Sequence, residues 1–244
     1  LREGWGTLDI GHFSCAVELK HPERGIQQFR LEDKLLSQLR ILQVAPSSPV
    51  PSQGEVVIDS YVRGDDLVAK YAQTPQRTAR PEIYWRALRE WRAQASDQAM
   101  GLELWLSVQT SLLASDPALS LRSVVEDVDE VFTAAGESGA WQPLGLASGA
   151  STGLDVGQNC FLFRLKSASI SYCEMIFPAD CDGVEFERTA QGVELRYRLF
   201  ERSLEKGVIR RGRVRGCLVP RDRDFEFAGS CFADFCASPV PLTA

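Results

Sequence analysis

Arg196, Arg198, Arg211, Arg213 and Arg215 fall in two consecutive runs of alternating character. Guanidinium groups held in rows grip phosphate, sulfate or carboxylate through paired N–H bonds. If Val193, Leu195, Tyr197 and Leu199 face inward, Glu194, Arg196, Arg198 and Arg202 lie on the opposite side, and the next strand adds the three remaining arginines. Glu205-Lys206-Gly207 reads as the turn between these strands, so a hairpin would merge the arginines into one cationic face. Residues 184–223 hold eleven basic and six acidic side chains in a chain of net charge −6. Charge is therefore segregated along the sequence. The plainer reading is a solvated face on which Glu185, Glu187, Glu194 and Glu201 are cross-strand partners.

A second group has different chemistry. With Leu102, Leu104 and Leu106 inward, Glu103, Trp105, Ser107 and Gln109 point the other way, and Asp59, Tyr61, Tyr84 and Arg86 can share that side. A sugar needs this combination, because its CH-rich faces stack on aromatic rings while its hydroxyls seek carboxylates and amides. Asp59, Tyr84, Glu103 and Trp105 form the candidate sugar set, and Glu82 with Glu103 could supply paired carboxylates for glycoside chemistry. Trp85 belongs to the inward register and is expected in the core.

Other chemistries find little support. His12 and His21 are the only histidines, they lack a ligand spacing, and no G-x-S-x-G elbow accompanies them. Asp127-Val128-Asp129, Asp180-Cys181-Asp182 and Asp222-Arg223-Asp224 have no companion ligands, and such triplets are common in turns and helix starts. Residues 145–157 are glycine-rich without the lysine of a phosphate loop. No metal and no cofactor is expected.

The chain has 244 residues, 44% apolar and 25% charged, which suits a soluble globular body burying roughly 70–75% of its unfolded surface. Acidity argues against nucleic acid as a partner. No run of 18 apolar residues predicts a membrane span. Seven cysteines without a CxxC pair read as free, mostly buried thiols in a reducing compartment. With no signal peptide visible, a cytoplasmic protein is expected, although a start at Leu1 is compatible with an upstream segment having been removed.

The elements that must position these groups are mostly strands. Extended runs are predicted around Leu8–Leu19, Glu55–Val62, Leu67–Ala72, Glu82–Leu88 and Gly101–Leu113, with a tight turn at Arg63-Gly64-Asp65-Asp66. Further runs cover Cys160–Leu165, Ser169–Phe177, Val184–Glu187, Val193–Glu201 and Val208–Val219. Leu31, Leu35, Leu36, Leu39 and Leu42 fall at helical intervals, as do Val124, Val125, Val128, Val131 and Phe132. In both places a strand is the alternative, over Ile41–Val44 and Leu119–Val125. Phe225, Ala228, Cys231, Phe232 and Phe235 predict a closing helix started near Asp222 or Asp224. Ala45–Ser52, with three prolines, predicts a surface loop.

Glu82-Ile83-Tyr84-Trp85-Arg86-Ala87-Leu88 recurs in type as Glu194-Leu195-Arg196-Tyr197-Arg198-Leu199-Phe200. Two related meanders would produce such an echo, and so would period-two patterning alone. The expectation is a β-rich α+β protein. Two antiparallel meanders pack pseudo-two-fold, sandwich-like or clamp-like, with a few peripheral helices. Residues 1–135 form the first half, 136–157 a Gly/Ser/Ala-rich connector, and 158–244 the second half.

The run Tyr61–Tyr71, with Ile83-Tyr84-Trp85-Arg86, Phe235-Cys236-Ala237-Ser238 and Pro241-Leu242-Thr243, resembles an uncharacterised family of bacterial proteins over most of residues 55–244. That resemblance implies no activity, cofactor or catalytic residue. From the residues themselves, the first expectation is a non-enzymatic binding or assembly protein whose arginine face meets an acidic protein or an anionic small molecule. The alternative is a carbohydrate-binding or carbohydrate-processing protein that uses the aromatic and carboxylate face.

Overall fold

The computed structural model describes residues 4–31, 34–46, 55–75, 77–88, 100–135, 140–145, 149, 151–154 and 157–238. Its first strands are β1 (Trp5–Ile10), β2 (Phe13–Glu18), β3 (Ile26–Leu31), β4 (Lys34–Leu36), β5 (Leu39–Pro46), β6 (Val57–Arg63), β7 (Asp66–Tyr71), β8 (Arg80–Ala87) and β9 (Met100–Gln109). After the short β10 (Ala114–Ser115) come β11 (Leu119–Glu126), β12 (Val128–Ala135), β13 (Ala140–Pro143) and β14 (Ser151–Leu154). The remaining strands are β15 (Cys160–Leu165), β16 (Ile170–Ile176), β17 (Gly183–Arg188), β18 (Gly192–Leu199), β19 (Leu204–Glu205) and β20 (Arg210–Pro220), and helix α1 (Asp224–Ala237) closes the described chain.

Apart from the short β10–β19 pair, the strands form two large antiparallel sheets. The first runs β1-β2-β3-β5-β11-β18-β17-β14, with β4 beside β3, and the second runs β13-β12-β15-β16-β20-β9-β8-β7-β6. Facing side chains join in one core that includes Phe13, Phe29, Leu121 and Tyr197 from the first sheet and Trp85, Leu104, Phe163 and Tyr172 from the second. Alternation produces this layout. Ile83, Trp85, Leu102, Leu104 and Leu106 point inward and are buried, while the residues between them face out. The protein is thus a β-rich sandwich with one peripheral α-helix among the described residues. Both sheets draw strands from 1–135 and from 158–244, so the two stretches share one core.

The echoed segments serve different pairings. Glu82–Ala87 lies in β8 between its chain neighbours β7 and β9, whereas Glu194–Leu199 lies in β18 between β17 and the distant β11.

Two stretches with helical spacing are strands. In β5, Ile41 and Leu42 together oppose Ser123 of β11, a bulge at which Leu42 takes φ 54°. Both side chains are buried, so the bulge breaks period two and imitates a helical interval. The Val124–Phe132 pattern arises at a crossing. β11 belongs to the first sheet and β12 to the second, and Asp127 at φ 55° turns the chain between them. Leu8–Leu19 is a hairpin of two strands turned at Gly11.

The predicted turn at Arg63–Asp66 joins β6 to β7, with Gly64 at φ 60°. The closing helix forms as the apolar stripe requires and covers the outer face of β15, β16 and β20. Phe227, Ala228, Cys231 and Phe235 bury against Leu162, Cys173, Met175, Cys217 and Val219. Asp224 does not cap it. Its carboxylate accepts bonds from Arg164 and from the Ser171 hydroxyl. The proline-rich loop beyond Pro46 and the tail from Pro239 lie outside the described residues, whereas the 136–157 connector carries β13, paired with β12, and β14, paired with β17.

Among the described residues no helix is long and apolar enough to cross a membrane.

Candidate functional site

The expected cationic face does not exist. β18 lies in the first sheet and β20 in the second, so the turn between them is not a hairpin turn and their outward residues sit on opposite sides of the sandwich. Arg196 and Arg198 are part-exposed and lie among Glu185, Glu194 and Glu201 at 2.8–3.8 Å. Arg213 and Arg215 are buried. The Arg213 guanidinium sits 4.3 Å from the Phe177 ring centre and 5.2 Å from that of Phe235, and it donates to Ser238 at the helix end. Arg211 is half-buried on the same face. The basic surplus of this stretch is thus spent largely on structure.

The aromatic and carboxylate group does converge, on the outer face of β9, β8, β7 and β6 beside α1. Three cross-strand rows follow from the register. The first runs Arg215, Glu103, Arg86, Asp66, Arg63, the second Arg213, Trp105, Tyr84, Val68, Tyr61, and the third Arg211, Ser107, Glu82, Lys70, Asp59.

The first row is a chain of ion pairs. Glu103 is only 4% exposed. Its Oε2 accepts from Arg215 Nε at 2.8 Å and from the neighbouring terminal nitrogen at 2.6 Å, and its Oε1 accepts from the Trp105 indole N–H. Arg86 bonds Asp66 bidentately at 2.6 and 2.9 Å, and its guanidinium lies 3.9 Å from the Trp105 ring centre. Trp105 is therefore fixed at one edge by Glu103 and on one face by Arg86.

The second and third rows leave chemistry available. Trp105 and Tyr84 are half-buried neighbours with ring centres 6.0 Å apart. The Tyr84 hydroxyl donates to Glu82 at 2.6 Å, and Lys70 stands 3.4 Å from the same carboxylate. Burial, the bond to Glu82 and that group's charge raise the Tyr84 pKa, so the phenol stays protonated at all ordinary pH.

Of the candidate sugar set, Trp105 and Tyr84 are adjacent. Asp59 is exposed on β6, two strands from Glu82 and about 9–10 Å away across the sheet. Glu103 shares the face but is enclosed, so it positions Trp105 and cannot meet a ligand. The pairing of Glu82 with Glu103 for glycoside chemistry also fails. Glu82 lies opposite Ser107, four residues along β9 from Glu103, an offset of about 13 Å against the 5–10 Å such carboxylates need.

Sequence reasoning missed Asp66 and Lys70, which stand opposite Arg86 and Glu82, and it missed the hold of Arg215 on Glu103 because the pairing of β20 with β9 joins residues 112 positions apart. Trp85 is in the core as expected, 1% exposed. His12 and His21 sit on β1–β2 and in the turn after β2, away from this face. No group of three or more His, Cys, Asp or Glu among the described residues could hold a metal ion.

The chain matches no family model and no curated protein. Solved structures do match its fold. A protein from Escherichia coli K12 proposed to be an aldose 1-epimerase superposes with TM-score 0.62 at 10% identity, over 89% of this chain and 100% of that one. A galactose mutarotase-like protein from Lactobacillus casei gives 0.57 at 11% identity, over 88% and 100%. An α-N-acetylgalactosaminidase from Bifidobacterium bifidum gives 0.53 at 14% identity, over 88% of this chain and 36% of that one. The chain has the galactose mutarotase-like fold. With the arginines dispersed and the fold neighbours named for carbohydrate chemistry, the expectation of an assembly protein with an arginine docking face is overturned.

Proposed function

We propose that this chain is a carbohydrate-binding or carbohydrate-processing protein whose sugar rests on Trp105 and Tyr84. The observation that carries the reading is the pair itself: two adjacent half-buried rings, one locked by Glu103 and Arg86, with a hydrogen-bonding carboxylate at their edge. A pyranose stacks its CH face on such rings, and its hydroxyls reach Glu82 and Lys70. Asp59, exposed at the sheet edge, is within range of a second sugar unit. Glu103 and Asp66 orient the rings and Arg86 without touching the ligand.

Two fold neighbours bear names that refer to aldose epimerisation or galactose mutarotation. Chemistry of that class opens a hemiacetal, with a base taking the anomeric hydroxyl proton and an acid protonating the ring oxygen. Glu82 is the carboxylate placed to accept a hydroxyl proton, and the Tyr84 phenol, held protonated, is placed to donate to a sugar oxygen.

The test is a titration with free aldoses, N-acetylhexosamines and their methyl glycosides, read by tryptophan fluorescence. At least one sugar should give a saturable change that Trp105→Ala abolishes and Glu82→Gln weakens about tenfold or more, the loss of one charged hydrogen bond. A response unaltered in Trp105→Ala, or a silent panel, would reject the site.

A further inference from the structure

Four thiols converge beneath α1. Cys160, Cys173 and Cys217 point outward from β15, β16 and β20, and Cys231 descends on them from the helix. The Cys217 and Cys231 sulfurs are 3.0 Å apart, while those of Cys160 and Cys173 are 3.7 Å apart. Arg215, two residues before Cys217, reaches the Cys231 carbonyl at 3.5 Å and its sulfur at 3.9 Å. A cation beside one member of a close dithiol favours that member as thiolate, the form that reacts with oxidants.

We propose that Cys217 and Cys231 are a peroxide-oxidisable dithiol that closes to a disulfide and ties helix α1 to strand β20. The inference is independent of the carbohydrate reading. The Cys231 thiolate attacks one oxygen of hydrogen peroxide. The O–O bond breaks, the sulfur becomes a sulfenic acid, and the departing hydroxide takes a proton to leave as water. Cys217 then attacks that sulfur, an S–S bond forms as the S–O bond breaks, and the hydroxide leaves with the Cys217 proton as a second water. Each sulfur loses one electron, and the peroxide is reduced by two.

Electrostatics favours this order. Burial opposes ionisation of Cys231, but the Cys217 hydrogen bond and the Arg215 charge outweigh it and lower its pKa, whereas burial and the same bond push Cys217 well up. Both thiols are buried, so a small neutral oxidant must enter during local opening of the helix. α1 is the terminal described element and rests on one face of one sheet, which places it among the segments that open most readily.

The experiment treats the full chain with hydrogen peroxide under native conditions, blocks remaining thiols after denaturation, and maps linked peptides without reduction. The expected result is a loss of two hydrogen atoms in a Cys217–Cys231 linkage. The melting temperature should rise by roughly 5–10 °C, as expected for closing a short loop, and dithiothreitol should reverse the rise. Cys217→Ala should show neither the linkage nor the rise. Recovery of both residues fully alkylated, a linkage of Cys160 to Cys173 or of Cys173 to Cys217 in its place, or a linkage without the rise would overturn the proposal. The mapping is done on the unsubstituted chain, so it stands even if the variant fails to fold.

Discussion

On the outer face of the second sheet, the strands beneath α1 present Leu162, Cys173, Met175, Cys217 and Val219, whereas β9 and β8 on the same face present Trp105, Ser107, Glu82 and Tyr84. The first set is small or aliphatic and is sealed by Phe227, Cys231 and Phe235. The second set is aromatic and polar and keeps partial exposure. Arg215 stands at the seam. It lies 4.8 Å from the Phe235 ring centre on one side and bonds Glu103 on the other. One face of one sheet thus meets the same problem, an uncovered apolar surface, in two ways. It buries one part under its own helix and leaves the other partly exposed, with aromatic and polar side chains. A charged pair at the boundary rigidifies both parts, since Arg215 braces the helix and Glu103 braces Trp105.

The seam is where that comparison breaks most easily. Glu103→Ala leaves the Arg215 cation buried without its carboxylate and should destabilise the fold by about 3–5 kcal/mol in urea titration. It should also release the Trp105 indole. Glu82→Gln, on a part-exposed partner of Lys70 and Tyr84, should cost about 1 kcal/mol or less. Comparable losses in the two variants would mean that the seam does not divide structure from site.

Glu174 sharpens the contrast, because it is a buried carboxyl with no ion pair among the described residues. It faces the inner core from β16, where it accepts from the Ser123 hydroxyl at 2.5 Å and from the Tyr172 hydroxyl. The Tyr172 ring fits because position 216 is glycine: a Cβ there would lie 2.8 Å from the phenol oxygen. Burial raises the Glu174 pKa to about 7, more than the Ser123 and Tyr172 bonds lower it. Between the ordinary carboxyl range and pH 7 the unfolded chain has released this proton while the folded chain keeps it, so the contribution of Glu174 to stability falls as pH rises. Above pH 7 the folded group ionises too and the loss levels off. Glu174→Gln should therefore gain on the unsubstituted chain by up to about 3 kcal/mol between pH 4.5 and 7. A difference independent of pH, measured by denaturant titration across that range, would show that Glu174 is not protonated in the fold.

The smallest effect belongs to the opposite side of the molecule. Arg196→Ala and Arg198→Ala each remove part-exposed ion pairs and should change stability by about 1 kcal/mol or less. A loss of several kcal/mol in either would restore a structural centre to the first sheet's outer face.

The alternation of Glu82–Leu88 and Gly101–Leu113 made the aromatic and carboxylate face legible in the sequence, because period two alone decides which residues share a side. The closing helix and the Arg63–Asp66 turn were legible for similarly local reasons. The pairing of strands was not. Val193–Glu201 and Val208–Val219 are consecutive and joined by a turn, and nothing local shows that they enter different sheets. That error created the cationic face. The bulge at Ile41 and Leu42, and the sheet crossing at Asp127, each place apolar residues at helical intervals without a helix. The partners of Glu103 were hidden for the same reason as the false face, since Arg215 comes to it from a strand far along the chain.

The most direct test of a ligand on this face is the indole N–H spectrum of the ¹⁵N-labelled protein, recorded during titration with the sugar panel. Trp105 donates its N–H to Glu103 beside the proposed site, while Trp85 lies in the core. A sugar should move the Trp105 signal saturably and leave that of Trp85 in place. A panel in which Trp105 never moves, or moves only together with Trp85, would contradict the proposed site.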